Sequence, residues 1–412
     1  MENSKRYETT LVAILFFTWG TVFLDRTSQH YLAPFFAPEF HLSHEQIGLL
    51  GSVVAVTWAI STLFFGALSD RIGRKPILVP VVFIFSLLSW VSGAVHSFHQ
   101  LLLVRALLGV AEGPAWSIMT ALIEESSAPT RRGRNIGTVV SAAALVGLAV
   151  APVLTTQVGA RFGWRWGFFV SGVPGLLLGF LIWKFVKEPE KKIVPGSHNQ
   201  PVRIGDFLSI LRYRNIWLCC VGAAGFLSWL FLDNIFAPLY ITEVAHQAPT
   251  TAGFLLGASG LGSFFLALFF PALSDRIGRK PVLLIMAVMC LAVPLALLIP
   301  QLYAYPWLLA AIIGVTNAGQ GIGALTLVLV PTESVPPQFA ATAIGLTTLV
   351  SEIAGATVAP VIAGTVAQTH GLAAALWMSA GGAALVFVAA LFLKETHRAR
   401  AEQAVLREAL AD

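Results

Sequence analysis

Twelve times along the chain, about 20 apolar residues run together between charges, prolines or glycines. Their extents are 10–36, 46–68, 76–96, 99–123, 135–159, 165–187, 215–241, 251–273, 281–301, 305–330, 338–367 and 373–394. A helix of that length crosses the roughly 30 Å hydrocarbon layer of a bilayer. In hydrocarbon only helices and closed barrels satisfy every backbone N–H and C=O. The expected class is therefore an all-α integral membrane protein with twelve transmembrane helices. Composition agrees, with 56% of residues hydrophobic and only 11% charged, against about 25% charged in soluble domains.

Lysine and arginine set the orientation. Of 26 such residues, Arg161 and Arg165 fall in odd-numbered loops, and Arg26 and Arg105 lie inside spans. The others cluster at the ends and in even-numbered loops, so both termini are expected in the cytoplasm. The polar segment 188–212 divides the spans six and six. Residues 1–187 are read as an N-terminal bundle, 188–212 as a cytoplasmic linker, and 213–412 as a C-terminal bundle with a short tail.

The halves repeat each other. Ala67–Pro76, ALSDRIGRKP, recurs letter for letter as Ala272–Pro281. Phe23-Leu24-Asp25 recurs as Phe231-Leu232-Asp233, and Val150-Ala151-Pro152 as Val358-Ala359-Pro360. Duplicated halves related by an axis along the membrane normal are a transporter architecture, with the substrate site near the midplane between them.

Other classes fall away. The net charge of +5 arises from clusters between spans rather than a basic face, so no nucleic-acid partner is expected. Cys219, Cys220 and Cys290 sit in apolar runs without ligand spacing, so neither a disulfide nor a metal site is expected. The first run is too long for a signal peptide core and carries charges, so it reads as an uncleaved span. No P-loop, nucleophile elbow or metal cluster is present, so neither enzyme chemistry nor a cofactor is expected. The energy source is then the proton gradient. The expected partners are a small substrate, protons and lipid, with the chain acting as a monomer in a bacterial inner membrane.

Charges inside spans locate the chemistry. A charged side chain at the bilayer centre costs about 2.5–3.5 kcal/mol on insertion scales, and such residues face bundle interiors or watery cavities. The first span holds Asp25, Arg26, Gln29 and His30, with Asp25/Gln29 and Arg26/His30 each one turn apart. The fourth holds Arg105 and Glu112, two turns apart on one face, which fits either a polar cavity or an ion-pair network joining spans one and four. Asp233 and Glu352 add carboxylates in spans seven and eleven. The repeated loops supply a candidate gate: Gly66, Asp70, Arg71, Gly73 and Arg74, and in the second copy Asp275, Arg276, Gly278 and Arg279. There the aspartate is expected to pair with cations or helix termini of neighbouring spans, and the glycine to permit a tight turn.

The loop motif GALSDRIGRK, present in both halves, resembles the signature of the major facilitator superfamily. Asp25-Arg26 with Arg105 and Glu112 resembles the superfamily's anion:cation symporter branch. The resemblance implies a major facilitator fold of two pseudo-symmetric six-helix bundles. It also implies proton-coupled uptake of a small organic anion by rocker-switch alternating access. Carried over, Arg26 contacts a substrate carboxylate, Asp25 and Glu112 carry protons, and Trp58 lines the pocket. Gln29, His30, Asp233 and Glu352 are further substrate-site candidates. The sequence departs from the branch at Ala144, where a hydroxyl-binding glutamine can stand, and at Glu352, near a familiar asparagine. Two cations against four carboxylates leave a zwitterionic substrate open, and a spinster-like exporter of amphiphiles is the other alternative. Gly147-Leu-Ala-Val-Ala151-Pro152 keeps little of the superfamily's glycine-rich antiporter signature.

Overall fold

Every apolar run is a helix, and most of the helices extend beyond the run at both ends. The computed structural model describes residues 2–128, 130–189 and 210–396, and all regular structure among them is helical. The first half comprises α1 (Glu2–Glu39), α2 (His44–Ile72), α3 (Lys75–Gly93), α4 (Phe98–Ser126), α5 (Arg132–Phe162) and α6 (Trp164–Phe185). The second comprises α7 (Arg214–Val244), α8 (Pro249–Ile277), α9 (Arg279–Leu297), α10 (Pro306–Glu333), α11 (Thr342–His370) and α12 (Leu372–Phe392). Eleven are long and apolar enough, among the described residues, to cross a membrane. The twelfth, α2, has the 29 residues of α8, and both its ends fall 205 residues before those of α8. The segment expected to link the halves lies mostly outside the described residues.

The duplication is physical as well as textual. In the first half α2 packs on α4 and α3 on α6; in the second, α8 packs on α10 and α9 on α12. Between halves, α2 meets α11 as α8 meets α5, with α1 against α7 on the axis. Large apolar side chains such as Phe64 and Trp307, 72% and 77% exposed, cover the outer surface, as hydrocarbon contact requires.

Pro152 and Pro360 do the same work in both halves. Neither can donate to the helix ladder, and the turn before each slips into π geometry, Ala143–Val150 in α5 and Glu352–Val358 in α11. Their carbonyls then receive the opposite half. A Cβ on Gly253 of α8 would lie 2.6 Å from the Pro152 oxygen, and one on Gly48 of α2 closer still to that of Pro360. Only glycine lets these helices approach so far.

These contacts lie at the end of the bundle remote from the chain termini, and the described hydrogen bonds between halves gather toward it. Ser52 Oγ donates to Thr357 O at 2.7 Å, Tyr31 Oη to Asn234 Oδ1 at 2.7 Å, and the His44 amide to Gln368 Oε1 at 3.0 Å. His44 Nε2 also faces Glu243 Oε2 at 3.3 Å. His44 is the first residue of α2, ahead of its apolar run, and the hydrogen bond to Glu243 raises its pKa above the ordinary value against an opposing burial effect. The sign follows. The contact is fully formed below the ordinary histidine pKa and is lost as pH rises through the raised one. The pair is partly exposed, so its worth is about 0.5 kcal/mol, roughly a twofold change in population. Spin-label distances between the starts of α2 and α8 should therefore lengthen modestly from pH 5 to pH 8, and His44→Gln should remove that pH dependence. An unchanged pH response in the variant would assign it elsewhere.

Candidate functional site: a charge cluster between the halves

Six turns into α1 the chain buries four polar side chains in succession. Asp25 is wholly buried, and Arg26, Gln29 and His30 nearly so. Helical geometry sends the first two to different neighbours. Asp25 faces α4, where Arg105 Nη1 lies 3.8 Å from its Oδ1 and donates to its main-chain oxygen at 3.4 Å. The Arg105 guanidinium also lies over the Phe168 ring at 4.7 Å, with its Nε and Nη2 unbonded. This is an ion pair between helices 1 and 4, wholly buried and loosely held. Glu112, also wholly buried, stands in the field of Asp25, Arg26 and Arg105, yet neither of its oxygens has a hydrogen-bond partner.

Arg26 faces the junction of the halves. Its guanidinium is 4.6 Å from the Trp58 ring centroid on α2 and 5.2 Å from that of Phe231 on α7. It makes no hydrogen bond or ion pair among the described residues, and its buried Nη2 is unbonded. The Trp58 indole N–H is unbonded too. A guanidinium sandwiched between two rings is fixed in orientation while its fork of donors stays free. Phe231 belongs to the second copy of Phe23-Leu24-Asp25, and that repeat was the one signal in the sequence that could have drawn attention to it.

The other candidates are distributed around this centre. Gln29 Nε2 donates to Leu50 O of α2 at 3.3 Å, leaving its Oε1 unbonded. His30 packs beside Gly51 in the field of both arginines. Glu352, the first residue of the π turn in α11, has an unbonded Oε2 and lies within electrostatic reach of Arg26. By the repeat it stands where α5 carries Ala144. Asp233 is placed apart from the cluster. It lines a separate cavity of about 30 Å³ between α7, α8 and α10.

The loop motifs form a second arrangement, far from the cluster, at the end carrying the termini. Gly73 and Gly278 adopt φ of +110° and +105°, which favour glycine, and each closes a turn against a carboxylate. Glu188 accepts from the Arg74 and Lys75 amides, both at 2.7 Å; Glu395 accepts from those of Arg279 and Lys280 at 2.8 and 3.1 Å. Arg74 reaches Ser69 Oγ at 2.8 Å and Glu125 at 3.1 Å. Arg279 reaches Ser274 Oγ at 2.6 Å and Glu333 at 2.8 Å. The residue that crosses to other helices is thus the arginine. Asp275 pairs within its own loop, with Arg279 at 2.6 Å, because one helical turn brings the two side chains together. Arg71 and Arg276 are exposed, and the side chains of Gly66 and Asp70 lie outside those described. Glu125 and Glu333, 208 residues apart, carry the same repeat and were overlooked in the sequence, as were Glu188 and Glu395.

Comparison with known proteins agrees with this architecture. The chain is 30% identical over 277 residues to the probable L-galactonate transporter of Escherichia coli (strain K12), covering 62% of this chain and 60% of that protein. It is 30% identical over 184 residues to the hexuronate transporter of Bacillus subtilis (strain 168), covering 44% and 43%. The chain thus spans less than two-thirds of either relative. Among solved structures, a bacterial homologue of the human lysosomal transporter Spinster, inward-facing and unoccupied, superposes with a TM-score of 0.76 over 93% of this chain and 97% of that one. At 20% identity that likeness speaks to the fold alone. Residues 15–357 match the model of the Major Facilitator Superfamily, and on that match the chain belongs to this superfamily of membrane transporters, which are not enzymes.

Proposed function

We propose that the chain carries a small organic anion bearing a carboxylate into a bacterial cell together with protons, by alternating access of its two halves. The observation that carries this reading is Arg26, a buried guanidinium clamped between a ring from each half with its donors unspent. A carboxylate seated there gains charge-assisted hydrogen bonds and touches both halves at once, so its binding is felt by the interface. The Trp58 N–H offers a further donor to the same ligand. The relatives' names, those of galactonate and hexuronate transporters, are consistent with a sugar acid or similar carboxylate.

Proton coupling follows from counting charge. With Asp233 apart, the cluster holds two guanidiniums against three carboxylates, Asp25, Glu112 and Glu352. An incoming anion deepens the deficit unless protons arrive with it. Glu112 is the group to take one, since neither oxygen is bonded and protonation removes a charge that nothing adjacent neutralises. By the positive-inside reading both termini are cytoplasmic. The halves then meet on the outer side, which makes this the inward-facing state of a functional monomer, with the loop arginines bracing each half at the inner face.

The experiment is transport in proteoliposomes. Glu112→Gln should lose uptake driven by a proton gradient, by about 100-fold or more, while keeping substrate counterflow. Unimpaired gradient-driven uptake in that variant would remove Glu112 from the coupling step.

A further inference from the structure

The second copy of the helix 1 aspartate sits in surroundings unlike the first. Asp25 and Asp233 are equivalent by the repeat, but Asp25 has Arg105 of α4, and the residue 208 positions on from Arg105 is Ile313 of α10, wholly buried and neutral. Asp233 is 6% exposed, and neither of its oxygens has a hydrogen-bond partner. Where the first half supplies a guanidinium, the second half leaves a cavity.

That cavity is lined with oxygen, and its donors point elsewhere. Tyr31 Oη donates to Asn234 Oδ1 at 2.7 Å, and Asn234 Nδ2 to Leu230 O at 2.7 Å. Asn317 Nδ2 donates to Ser259 Oγ at 2.8 Å, the Trp229 indole to Cys290 O at 3.0 Å, and nearby Ser379 to Trp229 O at 3.2 Å. Lone pairs on Asn234, Ser259 and Asn317 remain beside the carboxylate.

The backbone adds to the same field. Helix α10 breaks here: its first segment ends at Thr316, Asn317 and Ala318 leave the helix, and it resumes at Gly319. The carbonyl end of an 11-residue half-helix, which carries partial negative charge, therefore terminates at the cavity wall. Broken helices whose C-terminal ends and unwound carbonyls face a midplane site are how transporters of other folds coordinate small cations.

We propose that Asp233, with Asn234, Ser259 and Asn317, forms a site for one monovalent metal cation of the sodium class. A single carboxylate balances a single charge, and hard cations of this kind take oxygen ligands from side chains, backbone and water. About 30 Å³ holds roughly two water-sized bodies, enough for an ion and a water and too little for an organic group. The bound ion supplies to the second half the counter-charge that Arg105 supplies to the first. Because Tyr31 of α1 closes the cavity against Asn234 of α7, the ion also stiffens the contact between halves.

The test uses the purified full-length protein in detergent, compared in sodium, potassium and choline chloride at equal ionic strength and alkaline pH. Sodium should raise the melting temperature by about 2–4 °C over choline, and radioactive sodium should bind one per chain. Asp233→Asn should abolish both effects, and Ser259→Ala should weaken sodium affinity by about tenfold. If Asp233→Asn does not fold, Ser259→Ala and Asn317→Ala carry the test through affinity alone. Indifference to sodium overturns the site, as does a sodium response that persists in Asp233→Asn or is unaltered in both neutral variants. Stabilisation by methylammonium with none by sodium overturns it in favour of an amine on the substrate. None of these outcomes depends on Arg26, so the site and the anion reading fail separately.

Discussion

Arg26→Ala abolishes carboxylate binding while leaving the protein about as stable as before. The first half of this result rests on the free fork of donors. Paired charge-assisted hydrogen bonds are worth about 3 kcal/mol together, so affinity should fall by roughly 100-fold or more. The second half rests on the absence of a partner. Removing Arg26 strands no carboxylate in an ion pair, relieves the desolvation of a nearly buried cation, and forfeits ring contacts worth about 1–2 kcal/mol. These opposing effects leave little net change, whereas a scaffolding arginine would cost stability first and binding only as a consequence. Arg26→Lys sharpens the contrast. Lysine keeps the charge but cannot present a planar fork or lie flat between Trp58 and Phe231, so about a tenfold loss of affinity is expected. Calorimetric titration with hexuronates, alongside melting curves, reads both quantities. Retained affinity in Arg26→Ala would end the anchoring role.

The fold was legible because bilayer physics leaves so few options. Twelve long apolar runs and a repeated decapeptide are enough to require two six-helix halves. The charged centre was legible for the same reason, since Asp25, Arg26, Arg105 and Glu112 stand out against hydrocarbon. What the sequence could not supply was partnership. That Asp25 meets Arg105 rather than its neighbour Arg26 depends on which faces of α1 and α4 touch, and spacing along one helix does not fix the rotation of another. Phe231 was invisible because an aromatic residue in an apolar run carries no contrast. Asp233 was misleading in the opposite way: counted with the other carboxylates, it lies in a cavity of its own because its face of α7 turns toward α8 and α10. In the loops, Glu188 and Glu395 lie over 100 residues from the arginines whose amides they cap, and only the shared offset near 208 links them. Helix breaks followed the same divide. Pro152 and Pro360 announced theirs, but the interruption of α10 at Asn317 has no proline to mark it.

Arg105→Met carries the largest expected penalty in stability, and a second substitution should largely undo it. The Asp25–Arg105 pair is wholly buried, with 3.8 Å between its nearest charged atoms and two guanidinium nitrogens unbonded. Such a pair returns little beyond the desolvation of its members, but breaking it leaves a carboxylate alone in low dielectric, a cost of about 3–5 kcal/mol. Methionine fills much of the volume and reports the lost charge rather than a cavity. Asp25→Asn placed on the same background removes the stranded anion, and the double variant should melt within about 1 kcal/mol of the parent, giving a coupling of at least about 2 kcal/mol. If the two penalties simply add, the pair is a bystander and Arg105 acts through its packing on Phe168. The double variant then addresses transport as well. It retains Arg26 and Glu112, so substrate counterflow should persist, but it has no ionisable group at position 25. Proton-driven accumulation in this variant would mean that Glu112 suffices for coupling and that Asp25 serves to hold Arg105 in place. Loss of accumulation with counterflow intact would make the loose pair itself part of the coupling step, opening and closing as Arg26 gains and releases its anion.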